Sequence, residues 1–206
     1  SIVITLAILM SGFYGIVSDY IFEIYSSSFL HSGFFFLFFY LINLFVSIPI
    51  SYYSTFVIEE KFGFNKTTNK IFIIDLIKGL FVSIIIGGAL LAAALFIYDY
   101  FNDGFWLWLW LVLSVFTLFM SMFYTSLIVP IFNKLSPLED GSLKEKIQKY
   151  SDKIGYSLKN IFIIDGSKRS SKANAYFSGI GPKKTIALFD TLVEKHTEEE
   201  LVAVLA

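Results

Sequence analysis

Few side chains in this chain could do chemistry, and their types and spacing narrow what that chemistry could be. There are two histidines, His31 and His196, and no cysteine. Disulfides and thiolate metal ligands are therefore absent, and no His-x-x-x-His sets two imidazoles on one helix face. A lone histidine is more often an ordinary polar group than a ligand. That is the expectation for His31, read in a turn, and for His196, read just before a final helix on the other side of a bilayer. Asp19, Glu23 and Asp75 lie in or near apolar stretches, where a charge is a functional suspect by default. An Asp19–Asp75 pair would suit aspartyl chemistry, but both lie within two turns of a predicted helix end. Asp75 also stands i,i+3 from Lys78, close enough to pair locally.

Two other segments have binding chemistry. The loop Gly166-Ser167-Lys168-Arg169-Ser170-Ser171-Lys172 is basic, and its composition favours a solvated connection. The run Asn174-Ala175-Tyr176-Phe177-Ser178-Gly179 reads as an ordinary hairpin strand with Asn174 a turn residue, or as an edge that pairs with an extended peptide.

These segments must be positioned by a chain built for lipid. It is 56% apolar, with mean hydropathy +0.69 and 16% charged residues, against roughly 25% charged for soluble domains. Residues 1–18, 24–58, 79–98 and 104–133 contain no Asp, Glu, Lys or Arg. A spanning helix needs about 20 apolar residues, so four spans are expected near 2–22, 33–57, 71–98 and 105–131. Pro49 implies a kink, and Gly87-Gly88 allows close helix packing. All 16 basic residues lie at or after Lys61, and 12 of them between Lys134 and Lys195. Basic loops stay cytosolic, which puts Ser1, the 59–70 loop and the segment after 132 on the cytosolic face, and the Asp99/Asp103 turn on the other. A net charge of −1 gives no case for a nucleic-acid partner.

Composition changes at Asn133. The expected fold is a polytopic α-helical membrane region over 1–132, followed over 133–206 by part of an α+β domain. Ser142 reads as an N-cap, with Glu145 completing a capping box. Leu143, Ile147, Tyr150 and Ile154 give a helical stripe that Gly155 ends. Strands are expected at 161–164, near 174–178 and near 185–189, the last two joined through Gly179-Ile180-Gly181-Pro182. Thr197 and Glu200 form a second capping box, opening an apolar helix at Leu201. Ser1 and Ala206 both read as truncation points within a longer parent.

Taken in order, several strings resemble the type 1 CAAX prenyl proteases. They are Glu59-Glu60-Lys61-Phe62-Gly63-Phe64-Asn65-Lys66-Thr67-Thr68, Pro130 to Gly141, Phe162 to Ser171, Asn174 to Gly179, Leu188-Phe189-Asp190-Thr191-Leu192 and the final Glu-Leu-Val-Ala-Val-Leu-Ala. They cover about residues 50–206. The resemblance implies a membrane-embedded zinc metallopeptidase with seven spans around a water-filled chamber. A cytosol-facing partial α+β zinc-metallopeptidase domain closes it. Such an enzyme cleaves beside a prenylated cysteine in C-terminal CAAX segments.

In that family the helix opened at Thr197 runs on into His-Glu-x-x-His, so the first zinc ligand is expected immediately after Ala206. The resemblance thus implies zinc in the full-length parent, and neither catalytic nor metal residues in this chain. Asn174, Ala175, Tyr176 and Phe177 are the implied substrate-binding residues, and the Asn174 amide could bond a substrate carbonyl near the scissile bond. One departure is Lys172-Ala173, where the family often has His-Ser. The implied partners are a peptide or prenylated CAAX-type substrate, the lipid bilayer and the missing C-terminal part. The implied location is a bacterial inner membrane, or endoplasmic reticulum in a eukaryote. The 59–70 loop is expected to pack against the protease domain at the chamber rim. The alternatives are a non-catalytic membrane scaffold that lost the metal helix and a transporter, for which no internal repeat is evident.

Overall fold

The computed structural model describes residues 2–156, 158–181 and 184–205. Ser1, Pro182 and Ala206, expected on a cytosolic face, in a hairpin connection and at a helix end, lie outside them. The chain forms two compact units, Ser1–Ser54 with Ser83–Trp106, and Thr55–Val82 with Leu107–Ala206.

In the first unit, the single helix expected near 2–22 is two: α1, Ile2–Met10, and α2, Phe13–Ile24. Gly12 breaks it with φ 72°, a left-handed conformation that costs glycine little. Ser11 fills the gap, donating to the Ile8 carbonyl and accepting from the Phe13 N–H. Helix α3, Ser28–Tyr53, starts earlier than 33 and so takes His31 into its first turn. His31 Nε2 lies 3.1 Å from both the hydroxyl and the carbonyl of Ser18. Aromatic pairs join α2 to α3, including Tyr25 stacked on Phe34 at 4.3 Å and Tyr14 against Phe39 at 4.6 Å. Helix α4, Asn69–Phe101, presents Ser83, Gly87 and Gly88 to Gly33, Phe36 and Tyr40 of α3, around a groove of about 520 Å³.

Past Pro49, α3 widens into a π-helical stretch, Ser54–Glu59. Proline removes one main-chain donor and crowds the preceding turn; the helix runs on through Pro49 to Tyr53 before the widened stretch begins. Helix α4 is separated from α5, Phe105–Leu127, by the tight turn Asn102–Gly104, where Asn102 has φ 45°. Among the described residues, two stretches, Ser28–Glu59 and Asn69–Phe132, are long and apolar enough to cross a membrane, with almost none of their apolar 18-residue segments buried inside the protein. Such exposure of Phe, Ile, Leu and Trp suits lipid and not water.

In the second unit, the short helix α6, Val129–Phe132, leads into a four-stranded sheet. Its strands are β1, Leu135–Pro137; β2, Asn160–Ile164; β3, Ala175–Ser178; and β4, Thr185–Phe189, in the order β1-β2-β4-β3. β2 and β4 run parallel, while β1 pairs antiparallel with β2 and β3 antiparallel with β4. β2 and β4 are β-branched and apolar because both faces are covered. Ile164 and Ala187 face Val129 and Tyr176. Ile161, Ile186 and Leu188 face Ile147, Leu192, Leu201 and Leu205, carried by helices α7, Ser142–Lys153, α8, Asp190–Lys195, and α9, Glu198–Leu205.

The helix ends divide. Thr197 and Glu200 make the expected capping box, the Thr197 N–H donating to Glu200 Oε2 at 2.8 Å and the Glu200 N–H to Thr197 Oγ1 at 3.4 Å. Gly155 ends α7 at φ 69°. Ser142 does not cap α7: Gly141 takes the N-cap position, and the Ser142 hydroxyl donates to Glu198 across the domain. Strand β1 and helix α8, each too short to show periodicity, were not anticipated.

Candidate functional site

Among the described residues, strand β3 lies at the edge of the sheet, paired only with β4. The Phe189 N–H donates to the Asn174 carbonyl at 3.0 Å. Antiparallel pairs alternate, so 174/189, 176/187 and 178/185 are the hydrogen-bonded pairs, and the main-chain groups of Ala175 and Phe177 point away from β4. The side chains alternate too. Ala175 packs toward the α9 core and Phe177 lies 5.7 Å from the Tyr156 ring, whereas Tyr176 and Ser178 meet Thr125 of α5. Asn174 is exposed at the head of the strand, its Oδ1 accepting from the Ala175 N–H at 2.9 Å.

The segment that leads into Asn174 is not a solvated loop. Gly166 is buried against the Phe189 ring, leaving no room for a Cβ. Ser167 donates its N–H at 2.8 Å, and its hydroxyl, to the Asp190 carboxylate. Arg169 donates from Nε and Nη2 to Asp75 at 2.7 and 2.9 Å, and from Nη2 to the Phe132 carbonyl at 2.6 Å. Thr191 Oγ1 donates to the Lys172 carbonyl at 2.8 Å. Polar composition misleads here because the polar groups are matched by partners distant in sequence. The local Asp75–Lys78 pair does not form either, since Asp75 takes Arg169 and Lys78 donates to the Ile131 carbonyl at 2.7 Å.

The partner of this segment is the 59–70 loop. Gly63, with φ 71°, turns the chain back so that the Phe64 N–H reaches the Glu59 carbonyl at 2.9 Å. Asn65 then faces Ser170 as an isolated antiparallel bridge, flanked by Lys66 N–H to the Arg169 carbonyl and Ser171 N–H to the Phe64 carbonyl, both 2.9 Å. Thr67 Oγ1 donates to the Arg169 carbonyl at 3.0 Å, and Lys172 pairs with Glu59 at 2.6 Å. The polar chemistry of each string is thus a cross-link to another string.

The Asp75 carboxylate holds the Arg169 pKa above its ordinary value, so the guanidinium is charged at every working pH. Burial pushes the Tyr176 phenol up. Among the described residues, no three His, Cys, Asp or Glu side chains come together to hold a metal ion. His196 turns Nδ1 to the Leu192 carbonyl at 3.0 Å. The residues present therefore do not fit a zinc centre by themselves. Arg169 and Thr125 were not singled out from sequence. Arg169 was legible only as part of a string, and Thr125 only as a hydroxyl in an apolar span.

Residues 1–134 match the family model for the CAAX prenyl protease N-terminal region, with five membrane helices, and residues 137–206 match peptidase family M48. The chain is 49% identical over 163 residues to CAAX prenyl protease 1 of Saccharomyces cerevisiae, covering 78% of this chain and 36% of that one. It is 43% identical over 185 residues to the probable CAAX prenyl protease 1 of Schizosaccharomyces pombe, covering 87% and 38%. It superposes on the crystal structure of S. mikatae Ste24p with TM-score 0.87 at 40% identity, covering 98% of this chain and 49% of that one. The chain spans a little over a third of the length of these curated relatives.

Proposed function

We propose, because this chain belongs to the CAAX prenyl protease family, that it supplies the membrane wall and substrate strand of a zinc endopeptidase cleaving beside a prenylated cysteine. The observation that carries this reading is the edge position of β3, with Asn174 exposed at its head and the main-chain groups of Phe177 turned outward. An extended peptide adds to such an edge through main-chain hydrogen bonds, which fix its register and orientation. Asn174 Nδ2 donates to a peptide carbonyl, while Ala175, Tyr176 and Phe177 form the rail. Holding a peptide in one geometry removes much of the entropic part of the barrier. That is this chain's contribution to the reaction.

Zinc, which polarises a carbonyl and activates water, belongs to the full-length protein, where His-Glu-x-x-His continues from α9. Leu201 and Leu205 are buried while Ala203 and Val204 are exposed. On a continuing helix, the first ligand would fall on the Ala203/Val204 face, one turn on.

The organisation proposed is four spans over 1–132, with α1 and α2 together forming the first, and a cytosolic domain over 133–206. The supports are the uncharged stretches and the placement of all basic residues at or after Lys61. The protein resides in a bacterial inner membrane or, in a eukaryote, the endoplasmic reticulum. Its partners are the bilayer, the prenylated peptide and the remainder of the same protein.

The test is zinc analysis of the full-length protein, paired with cleavage of a farnesylated CAAX peptide by wild type and Asn174→Ala. Stoichiometric zinc, cleavage next to the farnesyl-cysteine and about a tenfold or greater loss of kcat/KM in the variant are expected. Unchanged kinetics in Asn174→Ala would remove Asn174 from the substrate site.

A further inference from the structure

Resting on that substrate-strand reading, we infer that span α5 is a register stop: Ser121 and Thr125 close the far end of the β3 edge, so that an extended peptide pairs only with the Ala175–Phe177 stretch. The alternation set by the Phe189-to-Asn174 bond makes 175, 177 and 179 the outward-facing residues. At 179 the edge is already taken, because the Gly179 N–H donates to the Ser121 carbonyl at 3.1 Å. One turn along the same face of α5, Thr125 is 4% exposed, and its Oγ1 lies 2.7 Å from Ser178 Oγ and 3.4 Å from the Tyr176 hydroxyl. The span therefore grips the end of the strand by one main-chain and two side-chain contacts. At the other end the Ala175 N–H is taken by Asn174 Oδ1.

The Ala175 carbonyl and both main-chain groups of Phe177 remain, and no hydrogen bond among the described residues engages them. A strand rises about 3.3 Å per residue, so this open stretch of about 7 Å fits three residues of a peptide. An open-ended edge would tolerate a slip of two residues, which restores the same side-chain faces. With the Gly179 donor occupied, a slip toward α5 finds no partner. The ligand class is thus a short extended peptide segment, and the specificity-setting groups are the Ser121 carbonyl and the Thr125 hydroxyl, which position β3 without touching the reacting atoms.

The experiment uses the full-length protein, amide hydrogen exchange and a farnesylated peptide with three apolar residues after the modified cysteine. In the peptide-free wild type, the Gly179 amide is expected to be protected and the Phe177 amide not. Thr125→Val keeps the branched shape and removes the hydroxyl; it should lower Gly179 protection about tenfold and spread cleavage to neighbouring bonds by mass spectrometry. Thr125→Ser should restore both. If Thr125→Val does not fold, Ser178→Ala removes the same hydroxyl pair from the strand side and is read in the same way. Free exchange at Gly179 in the wild type, or a variant that keeps both its protection and a single cut bond, overturns the stop. A full-length protein that cleaves no farnesylated peptide overturns the CAAX reading alone, and the exchange measurements still decide the stop.

Discussion

The Arg169 guanidinium directs Nε and Nη2 to the Asp75 carboxylate, and Nη2 also to the Phe132 carbonyl. Meanwhile its own carbonyl accepts from the Lys66 N–H and the Thr67 hydroxyl. It therefore joins α4, the end of α6 and the 59–70 loop at a point five residues before Asn174. Both charged side chains are about a quarter exposed, a half-buried setting in which losing one partner strands the other. Arg169→Met should destabilise by about 2–3 kcal/mol, since a charged hydrogen-bonding group and a carbonyl both lose their donor. Arg169→Lys should recover only part of this, because an ammonium cannot reproduce the two-pronged fork. Thermal unfolding in detergent reads both, and equal stability of all three proteins would reduce the pair to a surface contact.

Among the elements, β4 and α9 carry the packing that sets strand β3 in place. Gly166 lies against the face of the Phe189 ring, and an added Cβ would meet Cδ1, Cε1 and Cγ. Gly166→Ala must displace the ring of a residue whose main-chain N–H anchors the Asn174 carbonyl, and about 1–3 kcal/mol of destabilisation is expected by unfolding. Helix α9 is held at its N-terminus by charge. Lys146 beside Glu198 and Glu199, and the Thr197 N–H on Glu200, keep all three carboxyls below their ordinary value of 4.5. Lowered pKa values mean stability that is full above 4.5 and is lost as pH falls through the folded values. Protection of α9 amides, relative to their intrinsic exchange rates, should therefore fall in acid below that range before that of the buried β2 and β4 amides does, and a uniform loss of protection would count against it.

This scale is also where sequence was most informative. β2, β4, α7 and the Thr197 box follow from β-branched runs, a period-3.6 stripe and one capping pair. The break at Ser11-Gly12, the Ser142 hydroxyl turned to Glu198, and strand β1 depend on partners far along the chain. The same holds at the site. The edge character of β3 was legible as one of two options, but its phase, and the hold of Thr125 on Ser178, follow from the sheet order and not from local spacing.

For the whole molecule, what matters is that the loop between two apolar helices is stitched to the segment that leads into β3. The 59–70 loop has Lys61, Lys66 and Lys70 in a setting that a loop of its composition would leave open to proteases. Here its middle is a two-strand bridge to Ser170, with Lys66 donating to the Arg169 carbonyl and Gly63 and Phe64 taken by Ser171. Cleavage needs the chain to open locally, so nicking at Lys66 requires loss of those bonds. In sealed membrane vesicles exposing the cytosolic face, a lysine-specific protease should cut slowly at Lys66 when residues 134–206 are present. When the chain is cut back before Lys134, the bridge is absent and cleavage should rise by at least tenfold. Vesicles of the opposite orientation should leave the loop intact in both proteins, because the basic loop then faces the lumen. Equal nicking with and without the domain would mean that the bridge does not persist in the membrane. Cleavage in the opposite orientation would overturn the proposed cytosolic placement of the loop and, with it, of the 169–172 segment to which the loop is bonded.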